Sequence, residues 1–309
     1  MNLNMIKKVS ILFALLLTLA QANENILLYK VVNKEHKITA QTLADGLIKE
    51  GYVVSKNQDM NGPYIKQFKE SGFELYNLMS VYQPEFAQKM ALKYKNAGIF
   101  VPFSIAVYQR KNENDLYISL LTAKAEQGIL GKKDKLFEEL EALNKKSILA
   151  VLPNAIEAKL NYDAVETKAK LFTASAIESD DEDAEEEYDE MMMMMEGSMK
   201  MNGFVVANYI DYNKVLNENN ITDYQFYHSF SLCKLQVIYE LSKKHPEAGA
   251  FAPCTMSIYH KKGGSNTTNI VSLNIDALIS TLALKDENLT KMLTKTQGEM
   301  QKILRDATE

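Results

Sequence analysis

Apolar residues along this 309-residue chain alternate in some stretches and step at helical spacing in others, and the two periods follow one another in a fixed order. Residues 26 to 32 read as a strand. Residues 39 to 50 read as a helix, with Leu43, Leu47 and Ile48 on one face and Gly51 as its stop. Strands are predicted near 52–57 and 73–80, then a helix over 84–95 with Phe86, Met90 and Tyr94 on one stripe and Pro84 in the first turn. Strands at 102–109 and 115–121, joined by a polar turn, and an amphipathic helix over 133–146 complete this set. A second set follows: strand 169–176, helix 190–202, strands 204–210 and 225–231, helix 234–245, strands 254–260 and 268–274. It closes with a helix over 286–305 whose Leu289, Met292, Leu293, Met300, Ile303 and Leu304 share a stripe.

The two sets repeat at the level of residues. Ala97, Gly98, Phe100, Pro102 and Tyr108 recur as Ala248, Gly249, Phe251, Pro253 and Tyr259, a constant offset of 151. Upstream the offset is 152: Gly51, Val53 and Val54 fall on Gly203, Val205 and Val206, and Asp59 and Asn61 on Asp211 and Asn213. Self-similarity at a fixed period predicts two copies of one structural unit. Short strand–turn–strand pairs mixed with helices predict an α+β fold, each copy a largely antiparallel sheet covered by helices. The expected boundaries are 23–148 for the first copy, 149–166 for a connector and 167–309 for the second copy.

Composition adds a compartment. Lys7 and Lys8, an apolar run from Val9 to Ala20, and Ala20-Gln-Ala22 have the form of a secretory signal peptide over 1–22, cleaved after Ala22. The expectation is a periplasmic or secreted protein with no transmembrane anchor in the mature chain, since no later segment reaches the roughly 20 apolar residues a span needs. The net charge of −5 is concentrated in an acidic insertion over 178–190, read as a solvated loop ahead of the second copy's first helix. With the acidity so local, nucleic acid is not expected as a partner.

The residues also carry a resemblance. An Asp after the second strand, a Cys-x-Pro before a helix, and an apolar-Pro-Cys entry into a strand ending in Val-Tyr resemble the domain-of-unknown-function 302 family, DUF302. Asp59 and Asp211 match the Asp; Pro102 and Pro253 match the strand-entry Pro; Cys254 matches the following Cys, where the first copy has Phe103. Before the helix, the second copy keeps Cys233 without the Pro, and the first keeps Pro84 with Tyr82 in place of the Cys. The resemblance implies a TATA-box-binding-protein-like arrangement, β-α-β(4)-α with an extra helix. It implies no activity, and likeness to a DNA binder's fold is no argument for DNA binding.

Candidate chemistry gathers in the second copy. If strands 225–231 and 254–260 are neighbours, Cys233 and Cys254 lie at one sheet edge, and Cys233 at a helix N-terminus should have a lowered pKa. Three readings stay open: a disulfide or redox pair, inert thiols, or ligands of a soft metal ion, with His228 as a third ligand. His245 aligns with Tyr94 at a core edge, and His260 aligns with Gln109 at the start of an exposed turn. Asp59 and Asp211 are expected to cap turns by accepting backbone N–H bonds. Of the run Met191 to Met195, Met195 aligns with the core position Leu43 and Met199 with Leu47; four successive helical methionines cannot all face inward.

No nucleophile–base order, phosphate loop or metalloprotease motif is present. The reading is therefore a non-enzymatic protein that binds a ligand or partner at the seam of an intramolecular pseudo-dimer, monomeric because its copies pair internally. The alternative is a metal-handling or thiol-redox protein using Cys233 and Cys254.

Overall fold

The computed structural model describes residues 24–163, 171–178, 180–218, 220–252, 254–263 and 266–308. The signal-peptide segment and Pro253 lie outside the described residues, as does part of the connector, 164–166. Two antiparallel sheets carry the chain. The first has strand order β2-β3-β4-β5-β1-β6 and the second β7-β11-β10-β9-β8. The first sheet is built from β1 (Ile26–Val32), β2 (Val53–Asp59), β3 (Phe73–Tyr82), β4 (Phe103–Arg110), β5 (Asp115–Leu121) and the two-residue β6 (Ile156–Glu157). The second sheet is built from β7 (Leu171–Glu178), β8 (Val205–Asp211), β9 (Tyr224–Cys233), β10 (Cys254–Lys261) and β11 (Thr267–Leu273). Apart from β6, corresponding strands hold corresponding places in the two sheets.

The helices recur in the same order. The first unit has α1 (Ala40–Lys49), α2 (Asn61–Phe68), α3 (Pro84–Lys93), α4 (Ala123–Leu130) and α5 (Lys135–Val151). The second has α6 (Ala184–Met201), α7 (Tyr212–Asn217), α8 (Leu235–Lys244), α9 (Ile275–Thr281) and α10 (Glu287–Asp306). A 3₁₀ segment precedes β4 (Ala97–Phe100) and another precedes β10 (Pro246–Phe251). Among the described residues, no helix is long and apolar enough to cross a membrane.

Each sheet has two working faces, because successive strand residues point to opposite sides. On the outer face of the first, Leu27, Tyr29, Met79, Ile105 and Ile118 pack under Leu43 and Leu47 of α1 and Ile148 of α5. On the outer face of the second, Phe226, Phe230, Met256, Ile258 and Ile270 pack under Met195 and Met199 of α6 and Ile303 and Leu304 of α10. Thr39 starts α1 with a reciprocal capping box to Thr42, and Gly51 follows its end at φ +86°, a conformation that favours glycine.

The inner faces meet each other, and each is filled by the other unit's 3₁₀ segment. Tyr227 Oη accepts the Gly98 N–H at 2.9 Å and donates to the Lys95 carbonyl at 2.8 Å, while Ser229 Oγ donates to the Gly98 carbonyl at 3.2 Å. In the mirrored contact Tyr76 Oη donates to the Pro246 carbonyl at 3.2 Å and Ser119 Oγ to the Glu247 carbonyl at 3.1 Å. The recurring glycines are explained here by close approach. A Cβ on Gly98 would lie 2.5 Å from Tyr227 Oη, and one on Gly249 would lie 2.4 Å from the Ala106 Cβ. The edge strands β2 and β8 carry a bulge at equivalent places, after Val54 and Val206, and touch there through Asn208 Nδ2 donating to Ser55 Oγ at 2.7 Å.

Two expectations are corrected, and four short helices are added. Helix α6 begins at Ala184, so the later half of the acidic run is helical; Glu185, Glu186 and Glu187 occupy its first turn, where carboxylates favour the positive end of the helix. The connector is not free of the pattern: α5 continues to Val151, and β6 joins the first sheet by pairing with β1 at Tyr29 and Lys30. The short helices α2, α4, α7 and α9, at six to eight residues, are too brief for a periodic signal.

Candidate functional site

Strand β9 ends at Cys233, and β10 begins at Cys254, which pairs with Leu232. The chain between them leaves the sheet as α8 and the second 3₁₀ segment, so both cysteines return to one corner of the second sheet. They line a common cavity of about 110 Å³, bounded by α8, α10 and the start of β10. Its wall is mainly apolar, with Val237, Leu241, Leu278, Leu293 and Met300 prominent. Thr296, Gln297 and Gln301 of α10 add polar groups.

The two cysteines are unpaired thiols. The expectation of a lowered pKa at Cys233 is reversed: burial pushes it up to about 11. Cys254 is also pushed up to about 11, by burial first and by its neighbour Cys233 second. Desolvation outweighs the helix terminus because the thiolate would sit against an apolar wall. At neutral pH the cavity therefore presents two neutral S–H groups, small hydrophobes with weak hydrogen-bonding capacity.

His228 is not brought to this corner. It lies five residues back along β9, roughly 17 Å from Cys233 at strand rise, and cannot share an ion with it. It is built into an aromatic cluster, stacked on Tyr188 at 4.8 Å and Phe226 at 5.5 Å, with its Nδ1 2.8 Å from Tyr209 Oη. Desolvation lowers its pKa despite Asp211 and Asp189 nearby. Among the described residues, no group of three or more His, Cys, Asp and Glu side chains is placed to hold a metal ion.

His260 and His245 are held in structural contacts. His260 does not begin an exposed turn; it is fully buried in β10, with Nε2 3.0 Å from Asp181 Oδ1 and Nδ1 3.2 Å from Thr268 Oγ1. The strand runs one residue further, to Lys261, which carries His260 inside. His245 faces Glu247 at 3.1 Å, and the buried Glu247 also accepts from Tyr162 Oη at 2.5 Å. Asp59 accepts the N–H groups of Asn61 and Gly62 at 3.0 and 3.2 Å, and Asp211 caps α7 through the Lys214 N–H at 3.0 Å. Both carboxylates shape the chain after an edge strand. The methionine run divides by helical phase, with Met191, Met192 and Met195 buried and Met193 and Met194 exposed.

Two features of this corner had no individual signal in the sequence. Lys234, between Cys233 and α8, reaches Glu299 of α10, Nζ to Oε2 2.5 Å, across 65 residues of chain. The cavity itself arises from small side chains. At the repeat-equivalent positions the first unit places Tyr82, Phe86 and Phe103 where the second has Cys233, Val237 and Cys254. Comparing the two halves of the sequence position by position is the signal that could have found it.

No curated protein matches the chain. Among solved structures, it is similar to an uncharacterized conserved protein DUF302 from Bacillus stearothermophilus, with 19% identity and a TM-score of 0.36, over 45% of this chain and 98% of that one. Residues 182–307, which hold both cysteines and the whole wall of the cavity, match the family described as domain of unknown function DUF302.

Proposed function

We propose that the protein is an exported, non-enzymatic binding protein made of two tandem DUF302-type units, the second of which holds a small apolar ligand in the cavity beside Cys233 and Cys254. The cavity carries this reading. At about 110 Å³ it is somewhat smaller than the roughly 150 Å³ apolar cavity that admits a benzene, which sets the ligand at about four to six carbons. One void at the seam, against Phe100, Pro102 and Phe251, measures about 30 Å³, space for little beyond water, and the larger cavity in the second unit is preferred as the site. The first unit is read as a diverged copy whose bulky Tyr82, Phe86 and Phe103 fill the equivalent space; its role is to brace the second through the seam. Export rests on the pattern of residues 1–22. The thiol-redox alternative is weakened by the upward pKa of both cysteines, since the thiolate is the reactive form.

The test is binding of benzene and 1-pentanol, followed by protein NMR and by thermal shift, in the wild type and in Cys254→Phe. This variant installs the residue that the first unit carries at the same place. Saturable binding and stabilisation of the wild type, lost in Cys254→Phe, are expected. No binding to the wild type, or binding that Cys254→Phe leaves unchanged, overturns the reading.

A further inference from the structure

The charge pattern of the cavity wall narrows the ligand. Among the described residues that line it, Lys234 alone is charged. Its ammonium sits part-buried between two partners, the Glu299 carboxylate at 2.5 Å and the face of the Phe204 ring, 5.2 Å from the centroid. Glu299 has a second cation available, Lys295 one helical turn earlier on α10 at 3.8 Å. A carboxylate arriving at Lys234 therefore replaces Glu299 without leaving either charge unpaired, because Glu299 stays compensated by Lys295. Lys234 occupies the N-cap position of α8, and its side chain does not cap the helix but reaches away to Glu299. In the first unit the equivalent residue is Gln83, whose Oε1 caps the helix by accepting the Phe86 N–H at 2.8 Å. The second unit has thus exchanged a capping amide for a cation at the cavity wall.

We propose that the ligand is a short carboxylate-headed amphiphile, its four-to-six-carbon tail in the cavity and its carboxylate on Lys234 in place of Glu299. This rests on the binding reading above and adds the head group and the Lys234–Glu299 exchange. A tail of that size contributes the apolar burial that drives entry. The neutral thiols of Cys233 and Cys254 lie against the tail and do not repel the head.

The experiment compares pentanoate with 1-pentanol, equal in length and different in charge, by calorimetric titration of the full protein. The wild type is expected to bind pentanoate about tenfold more tightly, the ratio expected of a hydrogen bond to a charged group. Lys234→Gln, which restores the first unit's capping residue and should fold, is expected to bring the two ligands to equal affinity. Glu299→Gln removes the competitor and is expected to raise pentanoate affinity while leaving 1-pentanol unchanged. Equal affinities in the wild type, a pentanoate preference that survives Lys234→Gln, or no response to Glu299→Gln would overturn the proposal. If 1-pentanol still binds in that event, the cavity reading stands without its anionic head; if neither molecule binds, both readings fail.

Discussion

Replacing Gly249 by alanine tests whether the two units are locked by the close approach of each 3₁₀ segment to the other sheet. The added Cβ would lie 2.4 Å from the Ala106 Cβ and 2.7 Å from Leu78 Cδ2, both well inside contact distance. The leucine tip can turn away, but the alanine Cβ is fixed to β4, so the segment itself must shift. Overpacking of this kind costs about 1–3 kcal/mol, against which a Gly→Ala change returns about 0.4–1 kcal/mol by restricting the unfolded chain. A net loss of about 1–2 kcal/mol is expected, read as a fall in the urea midpoint at constant m-value. Ala106→Gly should cost about 0.5–1 kcal/mol by itself, yet combined with Gly249→Ala it reopens the space. The double variant should therefore be more stable than the sum of the two predicts, by about 1 kcal/mol or more. Gly128 of α4 meets nothing within 4 Å and provides the control, where alanine should stabilise by about 0.5–1 kcal/mol. A Gly249→Ala protein as stable as the wild type, or strict additivity with Ala106→Gly, refutes the packing account of the seam.

Three further outcomes are expected. Glu126 is buried on α4 with its pKa pushed up to about 8, by desolvation first and by Glu141 second. The unfolded residue ionises near 4.5, so unfolding releases a proton between the two values and stability falls as pH rises from about 4.5 to about 8, by a few kcal/mol. Glu126→Gln should flatten that slope, and parallel urea-stability profiles for variant and wild type over this range would contradict it. With both thiols at about 11, two units above their ordinary 9.0, Cys233 and Cys254 should react about a hundredfold more slowly with an aromatic disulfide reagent at pH 7.5 when folded than in urea; equal rates would show that the cavity is open to water. Dilute peroxide should oxidise Met193, Met194 and Met201, which are 70%, 53% and 82% exposed, before Met191, Met195 and Met199. Peptide mass spectrometry reads the order, and early loss of Met195 would displace α6 from its sheet.

The strand and helix order was legible because most elements bury one face, and burial writes a period into the sequence: Leu43 and Leu47, or Met195 and Met199, announce their helix faces. Gly98 and Gly249, which the sequence pairs at a constant offset, both sit where a Cβ would press on a neighbour across the seam. Where polarity was taken for exposure the reading failed. His260 and Gln109 are 0% and 1% exposed, since each spends its polar atoms on neighbours: His260 on Asp181 and Thr268, Gln109 on Asn33 and the Glu113 carbonyl. The nearness of Cys233 and Cys254 followed from strand pairing, but their ionisation did not, because desolvation depends on the wall contributed by α10, more than thirty residues further along. The cavity was least visible of all, as a void has no residue of its own. It becomes apparent only when Tyr82 and Phe103 are set against two cysteines.

The reciprocal 3₁₀ segments also govern the order in which the chain can acquire its structure. Their hydrogen bonds span 128 to 170 residues, so the part of each inner sheet face that lies under a 3₁₀ segment is covered from the other half of the chain. Contacts of such separation form late and slowly, after the loop entropy between them has been overcome. Until then the first unit carries an open apolar face, and the second must be nearly complete before it can supply the cover. A single unit produced alone would have both halves of this arrangement, a bare sheet face and a 3₁₀ segment shaped for one. The molecule best suited to satisfy both is a second copy of itself.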